Sequence, residues 1–377
     1  MIPRVLFVNH ASRLSGAELV LLDVVQAFRG ASAFLFEDGP LCVALAKAGV
    51  TPILPNGAAG FASIKRDRSL LRALPHLGGL ARMLLRLRST ARGFEVVYAN
   101  SQKAFVLAAP AAAAARRPLV WHLHDILSRD HFGRGQIGLT VMLANRFATR
   151  VIVPSGAAAD AFATAGGKAS LVRVVPNGLD DAATGDPVPL RAAFHLAPRF
   201  LFGVFSRLSP WKGQSVALKA LAELPDVGCV IAGSAMFGEQ AYADALVAEA
   251  IALGVADRVR FLGQRNDVPA LMRAVDAVVH PSTEPEPFGR TLVEAMLARR
   301  PLIAADAGAV PEILDGGRFG LLFPPGDHAA LATQLRRVRD GGADALLDPA
   351  ERRAREFYNA DRMRDAIRTV VDEAAAA

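Results

Sequence analysis

Glu286 and Glu294 are separated by seven residues in the stretch Glu286-Pro-Phe-Gly-Arg-Thr-Leu-Val-Glu294. A helical pattern opens near Gly289 or Arg290, which leaves Glu286 in a loop and Glu294 inside the helix. Pro285 and Pro287 stiffen the approach, and Gly289 allows close contact between backbone and ligand. A helix start offers N–H groups and a positive dipole end to an anion. N–H donors for a phosphate next to carboxylate acceptors for hydroxyls suit a phosphate-bearing sugar. Upstream, Ser206-Arg207-Leu-Ser-Pro-Trp-Lys212-Gly213 follows the apolar run Phe200 to Phe205 and sets two cations five residues apart beside another helix start. A third candidate is Trp121-His122-Leu123-His124-Asp125, at the carboxyl end of an expected strand, where ligands bind in open α/β sheets. Strand alternation puts His122 and His124 on one side and leaves the choice between them open. No third ligand is evident for a metal at this pair.

These groups need a scaffold, and the apolar pattern supplies one. Val5 to Val8 runs into the loop Asn9 to Ser15, and Gly16-Ala17-Glu18 opens a helical pattern to about Phe28. This is the strand, loop and helix unit of a nucleotide-binding fold, without a GxGxxG signature. Short apolar runs follow at Ala33 to Phe36, Pro52 to Leu54, Val96 to Ala99, Leu119 to Trp121, Val151 to Val153 and Leu171 to Val175. Helical segments lie between most of them, which predicts a parallel sheet covered on both faces. Pro176-Asn177-Gly178 makes a turn, and the Ala-, Asp- and Pro-rich segment after it reads as a connection. The pattern then restarts, with Val230 to Ala232 turning at Gly233, Val259 to Gly263, and Asp276 to Pro281. Beyond Pro325-Gly326 it is helical to the end.

The Glu286 to Glu294 motif, with Pro281-Ser282 before it and Ala307-Gly-Ala-Val-Pro-Glu312 after it, resembles that of the retaining glycosyltransferases of family 4. The resemblance covers most of the chain and is strongest from Gly203 to Pro325. It implies the α/β GT-B fold, with two Rossmann-like domains facing each other across a cleft and a C-terminal helix crossing back to the first. The expected boundaries are 1–180 for the acceptor domain, 181–198 for the linker, 199–355 for the nucleotide-sugar domain and 356–377 for the returning helix. The implied activity is transfer of a sugar, with retention, from a nucleoside diphosphate sugar to an acceptor hydroxyl, UDP-sugars leading GDP-sugars. Cell-surface glycan, polysaccharide or glycolipid synthesis would be the setting. In that reading Arg207 and Lys212 hold the diphosphate, Glu294 the ribose hydroxyls and Glu286 the sugar hydroxyls. Gly16, Gly233, Phe288, Gly289 and Arg290 complete the donor site, and His124, with His122 in reserve, stands near the reacting centre. No Asp-x-Asp motif accompanies these residues, so no metal or other cofactor is expected. Alternatives are a sugar phosphorylase or nucleotide-sugar epimerase on the same fold, or a non-catalytic binder of sugar nucleotides. Arg299 departs from the family, which commonly has glycine there, and Ala235 stands where another glycine is frequent.

At 377 residues, with 52% apolar and 21% charged, the chain can bury two cores. Cys42 and Cys229 have no metal or redox spacing and read as small buried side chains. The longest apolar run, Ala104 to Ala115, is too short to span a bilayer, and the first residues do not read as a signal peptide. A cytoplasmic location follows, with peripheral attachment to a membrane as an extension of it. The net charge of +7 favours anionic partners. Eight basic residues against Asp67 alone lie between Lys65 and Arg92, with Leu80, Met83, Leu84 and Leu87 at helical spacing. That segment reads either as a helix packed on its leucines or as a contact with an anionic membrane surface. No nucleic-acid recognition motif accompanies the charge, and the acceptor is expected to be a carbohydrate or a lipid-linked saccharide.

Overall fold

The computed structural model describes residues 3–54, 77–129, 132–180, 186–197, 200–236 and 238–377. It divides into two compact units, Met1–Gly178 with Ala360–Ala377, and Leu179–Asn359.

The first unit is built on seven parallel strands: β1 (Val5–Asn9), β2 (Ser32–Leu35), β3 (Thr51–Ile53), β4 (Val96–Ala99), β5 (Leu119–His122), β6 (Arg150–Val153) and β7 (Val172–Val174). Their order is β3-β2-β1-β4-β5-β6-β7. Both faces are covered, so each strand is an unbroken apolar run whose alternate residues enter different cores. Leu6, Val8, Val97, Ala99 and Trp121 pack with Phe105 and Phe162 on one face. Val5, Phe7, Val96, Tyr98 and Val120 face the other core, to which the Ala360–Ala375 helix contributes Met363, Ile367, Val370 and Val371. That helix therefore forms part of this unit's interior. Glu373 on its outer side accepts from Arg150 and Arg173, each at 2.9 Å.

The second unit has six parallel strands: β8 (Phe200–Phe205), β9 (Val227–Ala232), β10 (Val259–Phe261), β11 (Ala277–His280), β12 (Leu302–Ala305) and β13 (Leu321–Phe323). The order is β10-β9-β8-β11-β12-β13. Its two cores again divide alternate strand residues, with Phe202, Val204 and Val279 on one side and Leu201, Phe205 and Val278 on the other. Strand order reverses between β1 and β4 and between β8 and β11. In an open parallel sheet the connections diverge to opposite faces at such a point and leave a crevice at the carboxyl ends of the strands. Arg207, Lys212 and Glu286 follow β8 and β11, while His122 and His124 lie at the end of β5, the neighbour of β4.

Several boundaries differ from the expectation. Residues 186–197 are not a bare linker but belong to the second unit. Asp186 caps the Pro187–Ala193 helix through the Val188 N–H at 3.0 Å, and Arg191 pairs with Asp276 at 2.8 Å; residues 181–185 lie outside the described residues. The final helix begins at Ala360 rather than 356, because Phe357 and Tyr358 pack in the second unit. In the basic segment, residues 65–72 lie outside the described residues. The Leu77–Ala91 helix that follows buries Met83 and Leu87 beside Phe105 and Ala108, leaving Leu85 61% exposed. Most of its apolar face is therefore used inside the unit. Arg299 has φ 54°, the left-handed conformation that glycine adopts without cost, and its guanidinium pairs with Asp348 and Glu351. Both cysteines are buried thiols.

Because the last helix completes a core, Ile367→Ala should cost the first unit about 2–5 kcal/mol, whereas Glu373→Ala, on the partly exposed outer face, should cost under about 1 kcal/mol. Urea unfolding followed by tryptophan fluorescence in a Trp211→Phe background, where Trp121 alone reports, checks the difference. Equal effects of the two substitutions would mean that the helix is only docked.

Candidate functional site

In the second unit the β8 and β11 loops are pressed together by glycine. A Cβ on Gly213 (φ 69°) would lie 1.8 Å from the Pro281 carbonyl oxygen, and Thr283 N–H donates to the Trp211 carbonyl at 2.8 Å. Glu286 is clamped from the other side. Ala309 N–H donates to its carbonyl at 2.8 Å, and a Cβ on Gly308 would meet the same oxygen at 2.4 Å. Gly233, at φ 153°, leaves only 1.8 Å between such a Cβ and the Ser206 carbonyl, so the turn after β9 likewise admits no side chain. At Ala235, by contrast, the backbone pairs with Leu208 and needs no positive φ, which is why alanine is accommodated.

These close approaches bring Lys212 and Glu286 into a buried ion pair, Nζ to Oε2 at 2.6 Å, with side chains 12% and 8% exposed. Ser282 Oγ donates to the same Oε2 at 3.2 Å, and His280 Nε2 lies 3.2 Å from both Oε2 and Ser282 Oγ. A carboxylate only accepts and the Ser282 proton is already used, so His280 carries its proton on Nε2. Three donors thus converge on Oε2, while Oε1 has no partner among the described residues. Burial alone would raise the Glu286 carboxyl. The Lys212 ammonium and the hydrogen bonds from His280 and Lys212 outweigh it and hold the group well below the usual carboxylate range. Burial also lowers the Lys212 ammonium, with Glu286 opposing and Arg207 adding to the effect. Trp211 joins the two cations: Lys212 Nζ lies 4.0 Å and Arg207 Cζ 5.5 Å from its ring centroid.

The remaining donor-side candidates divide. Gly289 caps the Arg290–Leu297 helix at φ 82° with no side-chain cap, and Arg290 and Glu294 form an i,i+4 pair at 3.8 Å. Burial raises the Glu294 carboxyl, against the influence of Arg290. The Phe288 ring is not available to a ligand: it is 3% exposed and packs on Tyr358 at 5.8 Å between centroids. It anchors the loop in the core instead.

In the first unit, β1 ends in Asn9 and Asn100 directly follows β4, both fully buried. His122 is buried at the end of β5, its Nδ1 2.6 Å from the Tyr98 hydroxyl. His124 lies beyond the strand, half-buried, with Nε2 3.0 Å from Asn100 Oδ1. The imidazoles are in contact, with centroids 3.9 Å apart and planes tilted by 36°. Burial lowers the His124 ring to about 3, and burial together with His124 keeps His122 well below its ordinary value, so both are neutral at neutral pH. Gly16 is the first residue of the Gly16–Val25 helix and has open space where a Cβ would stand. Ser15 does not cap that helix through its side chain; its hydroxyl bonds to the Glu18 carboxylate.

His280, Asn9, Asn100 and Glu18 were not singled out from the sequence, and Ser282 only as part of a motif. The available signal was a polar residue terminating an apolar run at the switch-point strands, as in Val8-Asn9, Ala99-Asn100 and Val279-His280.

The Glycosyl transferases group 1 family model matches residues 193–357, and the Glycosyltransferase Family 4 model matches residues 41–183. Anabaena Alr3699/HepE, in a crystal structure with UDP and glucose, is 38% identical and superposes with a TM-score of 0.88 over 98% of this chain and 99% of that one. Sucrose-phosphate synthase from Thermosynechococcus elongatus, at 18% identity and a TM-score of 0.78 over 99% of both chains, shares the fold. D-inositol 3-phosphate glycosyltransferase from Mycobacterium sp. (strain JLS) is 35% identical over 182 residues, 48% of this chain and 41% of the relative. The lipopolysaccharide core biosynthesis mannosyltransferase LpcC of Rhizobium leguminosarum bv. viciae is 33% identical over 184 residues, 47% of this chain and 50% of the relative. The chain thus matches half or less of the length of these two relatives. It belongs to glycosyltransferase family 4 and has the GT-B fold.

The two units should respond differently to acid. His122 and His124 are depressed below the ordinary value of 6.5, so the stability they confer is complete above that pH and is lost as pH falls below it. The Glu286 contribution is complete above the ordinary 4.5 and is lost only below it. Urea unfolding between pH 7.5 and 4.5, reported by Trp121 in Trp211→Phe and by Trp211 in Trp121→Phe, should show the first unit weakening first. Glu286→Gln, which strands Lys212 without its counter-charge, should cost the second unit about 3–5 kcal/mol at pH 7. A cost below about 1 kcal/mol would show that the pair is solvated.

Proposed function

We propose that this chain transfers a sugar, with retention of anomeric configuration, from a nucleoside diphosphate sugar to a hydroxyl of an acceptor. The observation that carries the reading is the buried Lys212–Glu286 pair at the β8/β11 switch point, with Arg207 sharing the Trp211 ring. As the bond from the anomeric carbon to the diphosphate breaks, negative charge grows on the leaving phosphate. Lys212 and Arg207 are fixed cations able to take up that charge without reorganisation. Glu286 is held ionised with Oε1 available to accept hydrogen bonds from sugar hydroxyls, and Glu294 is assigned to the ribose. His124 supplies a neutral imidazole to a hydroxyl near the reacting centre.

UDP is the favoured nucleotide, because the relative at 38% identity is seen with UDP and glucose and, in another crystal structure, with UDP-glucose. With the side-chain cations assigned to the diphosphate, the reaction is proposed to need no divalent ion. The acceptor is proposed to be a carbohydrate or lipid-linked saccharide of a cell-surface glycan, in line with the LpcC relative. No helix among the described residues is long and apolar enough to cross a membrane. Contact with an anionic membrane surface would use Arg82 and Arg86 beside exposed Leu85.

A thermal-shift panel of UDP, GDP, ADP and their sugars, with and without EDTA, tests the donor. UDP-sugars should stabilise the chain, by about 2.7 kcal/mol at a hundredfold excess over Kd. The effect should be insensitive to EDTA and lost in Arg207→Ala. Product NMR with an accepted donor should show the donor's anomeric configuration retained. An equal response of Arg207→Ala would remove the diphosphate assignment, and conversion of the donor with no acceptor would point to an epimerase.

A further inference from the structure

The buried polar groups between β1, β4 and β5 form a hydrogen-bonded chain with one possible direction. Glu18 is 3% exposed and its carboxylate only accepts. Asn9 Nδ2 spends one hydrogen on Glu18 Oε1 at 3.1 Å and the other on the Ala11 carbonyl at 2.7 Å. Its Oδ1 must therefore accept, and it does so from Asn100 Nδ2 at 3.3 Å. The second Asn100 hydrogen goes to the Ala17 carbonyl at 3.2 Å. Asn100 Oδ1 is left as the acceptor facing His124 Nε2 at 3.0 Å, so the imidazole nitrogen is the donor. Every amide in the relay is oriented by the carboxylate at its far end. The ring also packs at a 36° tilt against His122, itself held by Tyr98. His124 Nδ1 has no partner among the described residues.

We infer that Asn100 is a positioning residue, oriented by Asn9 and Glu18, that keeps the proton of His124 on Nε2 and leaves Nδ1 as an acceptor for a substrate hydroxyl. The hydroxyl rests on the proposed sugar transfer; the tautomer does not. A ring with its proton on Nδ1 would offer a donor at that atom and would serve a phosphate or carbonyl oxygen instead. Asn100 thus decides which kind of group His124 can meet, although it is buried beneath the ring.

Histidine-selective ¹⁵N labelling of the full chain and long-range ¹H–¹⁵N correlation read the tautomer directly, with His124 among the eight histidines assigned through His124→Gln. The expected wild-type signature is a protonated Nε2 and an unprotonated Nδ1 from pH 5 to 8, needing no donor or acceptor. Asn100→Ala should give a mixed tautomer and lower kcat/KM about ten- to a hundredfold, the size of effect seen when a metal-bound imidazole loses its orienting partner. Asn100→Asp, with an acceptor-only carboxylate, should restore the Nε2 proton and raise the titration of His124 into the measured range. Fold is verified by near-UV circular dichroism, and the wild-type spectrum stands even if a variant does not fold. A wild-type proton on Nδ1, or a His124 signature unmoved by both folded variants, overturns the inference. An intact signature in a chain that binds no nucleotide sugar would instead count against the proposed reaction.

Discussion

The second unit depends on holding Lys212 against Glu286 away from water. Desolvating two opposite charges costs several kcal/mol per ion, and the attraction offsets this only when the geometry is close and the remaining lone pairs are served. Here the separation is 2.6 Å, and His280 and Ser282 add donors to the same carboxylate oxygen. The pair therefore constrains backbone well beyond itself. Gly213 must lack a side chain so that the β8 loop can lie on Pro281, and Gly308 must do so for Glu286 to be clamped. A single added methyl group at either position would move one charge away from the other.

The arrangement also explains how one carboxylate can serve two partners. Its Oε2 is saturated by lysine, serine and histidine, which fixes the side chain and keeps it ionised despite burial. Its Oε1 remains an acceptor in a known direction. Trp211 has a comparable double use, since its ring lies near both cations and limits where each can go. Preorganisation of this kind lowers the reorganisation needed when charge develops on a leaving group.

The first unit meets the same topological situation with amides and imidazoles anchored on a single carboxylate, Glu18. Its switch point between β1 and β4 carries Asn9 and Asn100, where the corresponding place in the second unit has Ser206 and His280 close by. Amides can be buried at lower cost than charges provided each donor and acceptor is used, and the relay from Glu18 to His124 uses them. The two sheets share an architecture, yet one end is an electrostatic site and the other a hydrogen-bonding one. Fold alone therefore does not assign the chemistry; the residues that end the strands do.

Much of this was legible in the chain. Unbroken apolar runs placed most strands within a residue or two, because a strand covered on both faces has no polar side to disguise it; β9 begins three residues before its expected run, and the short β13 was not anticipated. Glu286 with Glu294, and Arg207 with Lys212, stood out because in each pair a loop and helix start concentrate the signal into one short segment. What the sequence could not show was pairing across the sheet. Asn9 and Asn100 are ninety-one positions apart, and neither is unusual until parallel register sets them side by side. The same holds for Lys212 and Glu286, seventy-four apart, which read as separate ligand groups rather than as partners. Phe288 read as part of the donor site, and its ring turns into the core onto Tyr358, because motif position does not reveal which way a ring turns. The choice between His122 and His124 was likewise open to strand alternation, which places both on one side. The family resemblance ranked His124 first, and the tertiary structure gives the two different surroundings, burying His122 on Tyr98 and setting His124 beyond the strand end, where one ring nitrogen meets Asn100 and the other meets no described residue.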